Sequence, residues 1–583
     1  MTSRQKTQKK PKAAKEVEKR AKQAPTSTIA KNVGRAAAIL LLAGIASPVS
    51  QFNLSPVYGS IPAALHHQRA MTVAAVSAVI ARGALKKYIP SAVSEYLAVL
   101  AYWSPVIQFL LFPYSGKLGV EYGPLAFEAL TYLPLLFLSI VAAGDLLDCI
   151  DPSQFNLPSS LREIIIPTVS YFTVSTTSKI ASASLSSVVG NHIYLTRVGL
   201  QMLIASASAF VTPSKVILLA FPAILHSLWA NPHFPSESAF QQQNATLFAN
   251  HNYTLLARQE SLTGYVSVLQ SHEDNGFRIL RCDHSLLGGN WLVTPTAYSR
   301  GQRFPETIFS VFVLLEAVRL MKPIVSSEAD PVPDSQKSAL VIGLGIGTAP
   351  NALISHGINT TIVELDPVVH HYATKYFDLS PNHTAVIDDA VAYVHDKAPT
   401  NPGSFNYIIH DVFTGGAEPV SLFTVEFLRG LSALLADDGV VAINYAGDLS
   451  LGSTNLVLNT IHSVFPACRL FRDTAPAESW KEGDTDFINM VVFCVKNDHG
   501  KGKGAIDFRK AEPEDIKRSL ARRSYLDPKP EWEIMFEYTD EAHGGKVMGK
   551  GDVGELEKYH EKSAVDHWKV MRTVLPESVW EMW

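Results

Sequence analysis

The sequence predicts a chain of two halves: an α-helical transmembrane domain, then an α/β domain on a parallel sheet with a small β-hairpin region before it. Three observations carry this. Apolar runs near bilayer-crossing length crowd the chain before about residue 230. The stretch 338–366 reads strand, glycine-rich turn, helix, strand, and strands and helices then alternate to about residue 495.

The 583 residues are 47% hydrophobic and only 18% charged, an apolar balance that the first half accounts for. Residues 1–32 form a basic arm with Lys9, Lys10, Lys12, Lys15, Lys19, Arg20 and Lys22. Ahead of a hydrophobic span such an arm reads as a cytoplasmic topology signal, and no nucleic-acid partner is expected. Residues 33–230 read as a multi-pass domain with spans near 33–49, 70–85, 93–112, 124–147, 193–211 and 215–229. Arg82, at the end of the second span, and Lys86 and Lys87 after it lie on the side of the basic arm, as the positive-inside rule requires.

Residues 164–178 either cross the bilayer, giving seven spans, or do not, giving six. Six would put the C-terminal half in the cytosol, the face favoured here because nucleoside cofactors are made there. Sequons at Asn244 and Asn252 would suit a luminal face, whereas the one at Asn359 runs into an expected inner strand. The expected location is an organelle membrane such as the endoplasmic reticulum, with the lipid bilayer as a partner. Cys149, Cys282, Cys468 and Cys494 form no CxxC and read as reduced core residues. His66 with His67 and His370 with His371 lack metal-ligand spacing, so they read as packing residues and no metal is expected.

Residues 231–257 read as a linker and 258–497 as the nucleoside-binding domain. Strands at 265–270 and 277–282 flank a turn at Asp274, Asn275 and Gly276, giving the hairpin, and a helix at 307–321 follows. Strand 339–342 leads into Gly343, Gly345 and Gly347, which let the backbone turn tightly and approach a ligand. The next strand ends in Glu364 and Asp366, about twenty residues on, where an acid can accept hydrogen bonds from ribose hydroxyls. Later strands end in Asp388 with Asp389 and in Asp411, so acids follow three successive strands at the crevice of an open α/β sheet. The strands at 468–472 and 489–495 should form an antiparallel edge. Residues 498–583 form a polar tail with amphipathic segments at 515–525 and 567–574 and an aromatic end, which docks on the α/β domain or the membrane interface.

These motifs resemble the spermidine synthase-like branch of the class I S-adenosylmethionine-dependent transferase superfamily, here fused to a membrane domain. VIGLGIGTAP resembles that family's glycine loop, IVELD its ribose-binding segment, IDDAVAYV its adenine segment and YIIHDVF the strand ending in its catalytic Asp. The resemblance implies a Rossmann-like fold and a cofactor, S-adenosylmethionine or decarboxylated S-adenosylmethionine. By the same match Glu364 holds the ribose hydroxyls, Asp389 the adenine amino group, and Asp411 is the general base. The implied activity is aminopropyl transfer to a small-molecule amine; the alternatives are a methyltransferase with another acceptor and a non-catalytic membrane scaffold. Three departures weaken the polyamine reading: Ile346 stands where the family's glycine loop has an acid, the loop after Asp411 lacks a second acid, and residues 304–321 show no Tyr-Gln pair.

Overall fold

The computed structural model describes residues 26–88, 92–150, 159–322, 332–412, 416–417, 419–449, 451–475, 487–500, 502, 506–538 and 545–583. Most of the basic arm lies outside them. Two compact units emerge, one of residues up to 55 with 63–240, the other of 56–62 with 241–581 and Trp583.

The first unit is all helical: α1 (Thr26–Tyr58), α2 (His67–Tyr88), α3 (Leu97–Leu111), α4 (Ser115–Leu130), α5 (Tyr132–Leu147), α6 (Ser159–Val188) and α7 (Arg197–Val211). Small residues bring the helices together, with Ala36, Ala43, Ala75, Ala78, Ala101, Ala143 and Ala205 buried among Ile39, Leu40, Leu136 and Val141. Among the described residues, two helical stretches, 27–58 and 93–130, are long and apolar enough to cross a membrane. That is fewer than the six or seven spans expected, so a multi-pass domain does not follow from helix length and hydropathy alone. Tyr132–Leu147, Arg197–Val211 and Lys215–Ala230 are apolar but short. α6 is long, and its many Ser and Thr residues dilute its hydropathy.

The second unit begins inside the segment expected as a linker. That segment holds α8 (Glu237–His251) and the first residues of β1 (Tyr253–Glu260) rather than irregular chain. With β2 (Tyr265–Ser271), β3 (Phe277–Cys282), β4 (Ser285–Trp291) and β5 (Glu306–Thr307), β1 builds an antiparallel sheet in sequential order, of which the expected hairpin is the centre. The helix expected at 307–321 is shorter: α9 (Ser310–Leu315) tightens into a 3-10 turn over Glu316–Leu320.

The larger sheet contains β6 (Ser338–Ile342), β7 (Asn359–Glu364), β8 (Thr384–Ile387), β9 (Phe405–His410) and β10 (Leu435–Asp448), all parallel. α10 (Thr348–Ser355), α11 (Pro367–Tyr376), α12 (Ala390–Lys397) and α13 (Val425–Leu434) connect them. After α14 (Gly452–Val464), β11 (Ala467–Arg472) and β12 (Phe487–Val495) supply the expected antiparallel edge. With a short strand from the tail, β13 (Glu533–Ile534), at one edge, the strand order is β13-β11-β12-β10-β9-β6-β7-β8. Consecutive residues of β6 face opposite cores, Ala339 and Val341 one and Leu340 and Ile342 the other, because both faces of a parallel sheet are covered.

The tail adds α15 (Leu520–Tyr525), β13 (Glu533–Ile534) beside β11, α16 (Val553–Val574) and α17 (Glu577–Glu581). Its aromatic end docks within this unit: Trp580 and Trp583 are buried, and the Arg281 guanidinium on β3 donates to the carbonyls of Val579 (2.7 Å) and Trp580 (3.1 Å). The cysteine expectation needs correction. Cys468 and Cys494 face each other across β11 and β12 and form a disulfide, in which Cys149 and Cys282 take no part.

Candidate functional site

The strand order reverses beside β6, since β7 and β8 lie on one side of it and β9 and β10 on the other. That switch point opens a crevice at the C-terminal ends of β6 and β9. Gly343 leaves β6 with φ of 83°, and a Cβ there would sit 2.1 Å from the Asp411 carbonyl oxygen. Gly345 has φ of 54°, and its Cβ would meet the Leu287 carbonyl of β4 at 2.5 Å. Only glycine lets this loop pass between β9 and the antiparallel sheet. Gly347, also left-handed, is the N-cap of α10. A glycine turn of this kind, leading into a helix start at the switch point, fits a nucleoside ligand.

Glu364 ends β7 beside this turn. Its carboxylate accepts the Leu344 N–H (3.0 Å) and the Asp366 N–H (2.8 Å), and burial raises its pKa to about 7. Asp366, grouped with it as a ligand candidate, is fully buried in another task. It caps α11 through the Val368 N–H (2.8 Å) and accepts from the hydroxyls of Ser261 (2.6 Å) and Thr263. Asp388 accepts the Asp389 N–H and Asp389 caps α12 through the Val391 N–H, both at the exposed rim below β8.

Asp411 follows β9, and its N–H bonds the Ile342 carbonyl (2.9 Å), tying it to the start of the glycine loop. Its Oδ1 accepts from the Asn444 amide (2.7 Å). Burial raises its carboxyl to about 6, against the lowering influence of that hydrogen bond. Asn444, on β10, was not singled out in the sequence; an Asn inside an otherwise apolar strand was the available signal. It is 7% exposed, and its Oδ1 has no partner among the described residues, leaving an acceptor next to the carboxylate. The structure thus brings together the glycines, Glu364, Asp411 and Asn444, sets Asp388 and Asp389 at the rim, and gives Asp366 a capping role. Ile346, where an acid was missing, is buried with Val266, Val268, Leu280, Val368 and Tyr372, so it anchors the glycine loop to the antiparallel sheet.

Residues 324–477 match the Spermine/spermidine synthase domain family. The N-terminal histidine N-methyltransferase of Emericella nidulans is 45% identical over 558 residues, covering 94% of this chain and 97% of that protein. The polyamine aminopropyltransferase of Vibrio vulnificus is 37% identical over 108 residues, covering 18% of this chain and 36% of that protein. A crystal structure of a probable spermidine synthase from Corynebacterium glutamicum aligns with TM-score 0.36 and 17% identity, over 51% of this chain and 96% of that one. The site takes a cofactor of the S-adenosylmethionine type. The likeness to a methyltransferase over 94% of this chain corrects the expectation of aminopropyl transfer in polyamine synthesis, since the Vibrio vulnificus aminopropyltransferase matches only 18% of it.

Proposed function

The chain belongs to the family of the N-terminal histidine N-methyltransferase of Emericella nidulans, and from that premise we propose that it methylates a nitrogen of the N-terminal histidine of a polypeptide. The observation that carries this is the 45% identity running through both units, membrane-like half included. When bound, S-adenosylmethionine supplies an electrophilic methyl group on a sulfonium. The chain's own residues do the rest. Gly343 and Gly345 hold the backbone close enough to line the cofactor crevice, Glu364 accepts the ribose hydroxyls, and Asp389 lies at the adenine end. Asp411 accepts the proton that the histidine nitrogen gives up, at the carboxylate oxygen not bonded to Asn444. The Asn444 Oδ1 accepts an N–H of the incoming residue and so orients it, positioning being a large part of such a displacement.

Full-length protein, S-adenosylmethionine and a peptide beginning with His give the test, with the same peptide acetylated at its N-terminus and one beginning with Ala as comparisons. Mass spectrometry should find one added methyl group on the first peptide alone. Equal methylation of all three, or of none, overturns the proposal.

The reading includes a bilayer around the helical unit. Val73, Val76, Ile80, Phe210, Leu218, Leu219 and Trp229 are apolar and exposed there, a surface suited to lipid. Alkaline carbonate extraction leaving the protein in the soluble fraction would reject it. The Cys468–Cys494 disulfide supports a catalytic unit on the luminal, oxidising side of that membrane rather than in the cytosol. A crossing by α6, whose thirty residues reach about 45 Å, agrees with that side. Asn252 is exposed, and its sequon provides the check: a glycosidase-sensitive mobility shift is expected, and full protection of the unit from added protease only when vesicles are sealed.

A further inference from the structure

Inside the helical unit, polar side chains from α1, α2, α4 and α6 join in a single file. The Ser178 hydroxyl of α6 pairs with the Ser47 hydroxyl of α1 (2.8 Å), and Ser47 pairs with His67 Nε2 at the start of α2 (2.7 Å). His67 Nδ1 meets Glu128 Oε1 of α4 at 2.6 Å, and Ser50 Oγ donates to the same oxygen (3.3 Å). Ser47, Ser50, His67 and Glu128 are at most 4% exposed, and Tyr132 stacks on the imidazole with ring centroids 5.4 Å apart. An acid and an imidazole in an apolar bundle are costly unless each is hydrogen-bonded, and here they are bonded to one another.

A network serving packing alone would close on itself. This one opens beyond Ser50 on a cavity of about 30 Å³ lined also by Ser104, Gln108, Thr131 and Gln201. Gln108 and Gln201 bond each other (2.8 Å), yet Gln108 Nε2 and Gln201 Oε1 have no further partner among the described residues. These groups are buried and aimed where about two water molecules fit, at ~15 Å³ for each. A second cavity of about 10 Å³ shares Leu135 and Ile204 with the first and continues to Ser139, Ser208 and Thr212.

We propose that the helical unit is a proton relay in which Ser178, Ser47, His67 and Glu128 exchange protons with the hydrated cavity lined by Gln108 and Gln201. Every member from Ser178 to Ser50 can both give and take a proton or hydrogen bond, as a relay requires. In the forward direction Ser178 takes a proton from water at its partly exposed side as it gives its own to Ser47 Oγ, and the proton of Ser47 passes to His67 Nε2. The imidazolium gives its Nδ1 proton to Glu128 Oε1, and the carboxylic acid releases one proton through Ser50 to the cavity. One O–H or N–H bond breaks for each that forms, one proton enters and one leaves, and no electrons are exchanged. A serine nucleophile is the rival reading of Ser47, His67 and Glu128, but Ser47 is fully buried and bonded to Ser178.

Two experiments on the full chain test the relay, and only the first rests on the bilayer reading above. Vesicles containing a trapped pH dye should lose an imposed proton gradient roughly tenfold or more faster with the native protein than with Glu128→Gln or Ser47→Ala. In detergent, difference infrared spectra should show a carboxylic-acid band that titrates, shifts in deuterated water and vanishes in Glu128→Gln. Both variants should keep native methyl transfer, which shows that they fold. Native and variant vesicles leaking equally, a carboxyl band that neither titrates nor exchanges, or fluorophosphonate labelling of Ser47 would each overturn the relay.

Discussion

Replacing Asn444 by Ala tests the proposed base, Asp411, without touching it. Asp411 sits near 6 because burial pushes its carboxyl up while the Asn444 amide, 2.7 Å away, holds it down. A hydrogen bond to a charged group contributes on the order of 1.5 to 3 kcal/mol, and each tenfold in proton affinity is about 1.4 kcal/mol. Without the amide the Asp411 carboxyl should therefore rise by about one to two pH units, toward about 7 to 8. The base must be ionised to accept a proton, so the acid limb of kcat/KM moves up by the same amount, and the variant is most impaired near pH 6 and recovers in alkali. The histidine of the substrate titrates near 6.5 on its own, but it does so identically with both proteins, and the comparison cancels it. The assay is a pH series with saturating S-adenosylmethionine and limiting His-peptide. An unmoved acid limb with uniformly lower activity would refute the reasoning, because Asn444 would then only shape the crevice. Asp411→Asn should lower turnover roughly a hundredfold and abolish the limb.

Other perturbations follow from the same geometry. Gly345→Ala should abolish cofactor binding by calorimetry, since its Cβ would lie 2.5 Å from a backbone carbonyl and the residue is left-handed. Glu364→Gln should weaken cofactor binding and yet raise the melting temperature of the unliganded protein at pH 8. The Glu364 pKa rises from 4.5 to about 7 on folding, so its contribution is fully present below 4.5 and is lost as pH climbs through about 7. That loss is worth on the order of 3 kcal/mol, and a pH-independent difference between variant and native protein would count against it. Dithiothreitol or Cys468→Ser should destabilise the catalytic unit by about 3 kcal/mol, the cost expected for opening a loop of this size. Alkylation of both thiols in unreduced, denatured protein would show that the bond does not form.

The parts of the site that were legible in the sequence are those specified locally. Glycines directly after an apolar strand and acids directly after the next strands need only strand-end geometry to acquire a position, and Gly343, Glu364 and Asp411 stand where that predicts. What depended on distant partners was not legible. Asp366 looks like a second ribose ligand until Ser261 and Thr263, about a hundred residues earlier, are seen to engage it. Cys468 and Cys494 became neighbours through the register of two antiparallel strands, which no spacing rule encodes. The same holds for β13 pairing with β11, and for His67, whose partners Ser47 and Glu128 come from two other helices.

Ile346 shows why fold was easier to read than activity. The glycines around it are constrained by backbone approach, which any ligand of this class would impose, so they report the fold. The side chain at 346 faces the antiparallel sheet, where it is buried against Val266, Val268 and Leu280. An acid there would enter an apolar cluster unpaired, at a cost of several kcal/mol unless protonated. In this chain residue 346 holds the loop against its neighbour and offers no charge to a cationic amine. Among the described residues, the end of β9 offers the Asp411 carboxylate and, beside it, the unpartnered amide oxygen of Asn444. A single base with a single acceptor matches one nitrogen losing one proton, whereas a polyamine with several charges needs several acids along its length. Restoring the acid by Ile346→Asp should therefore destabilise the catalytic unit without creating aminopropyl transfer, and product formation from decarboxylated S-adenosylmethionine and a diamine by that variant would show that the charge count is not what separates the two reactions.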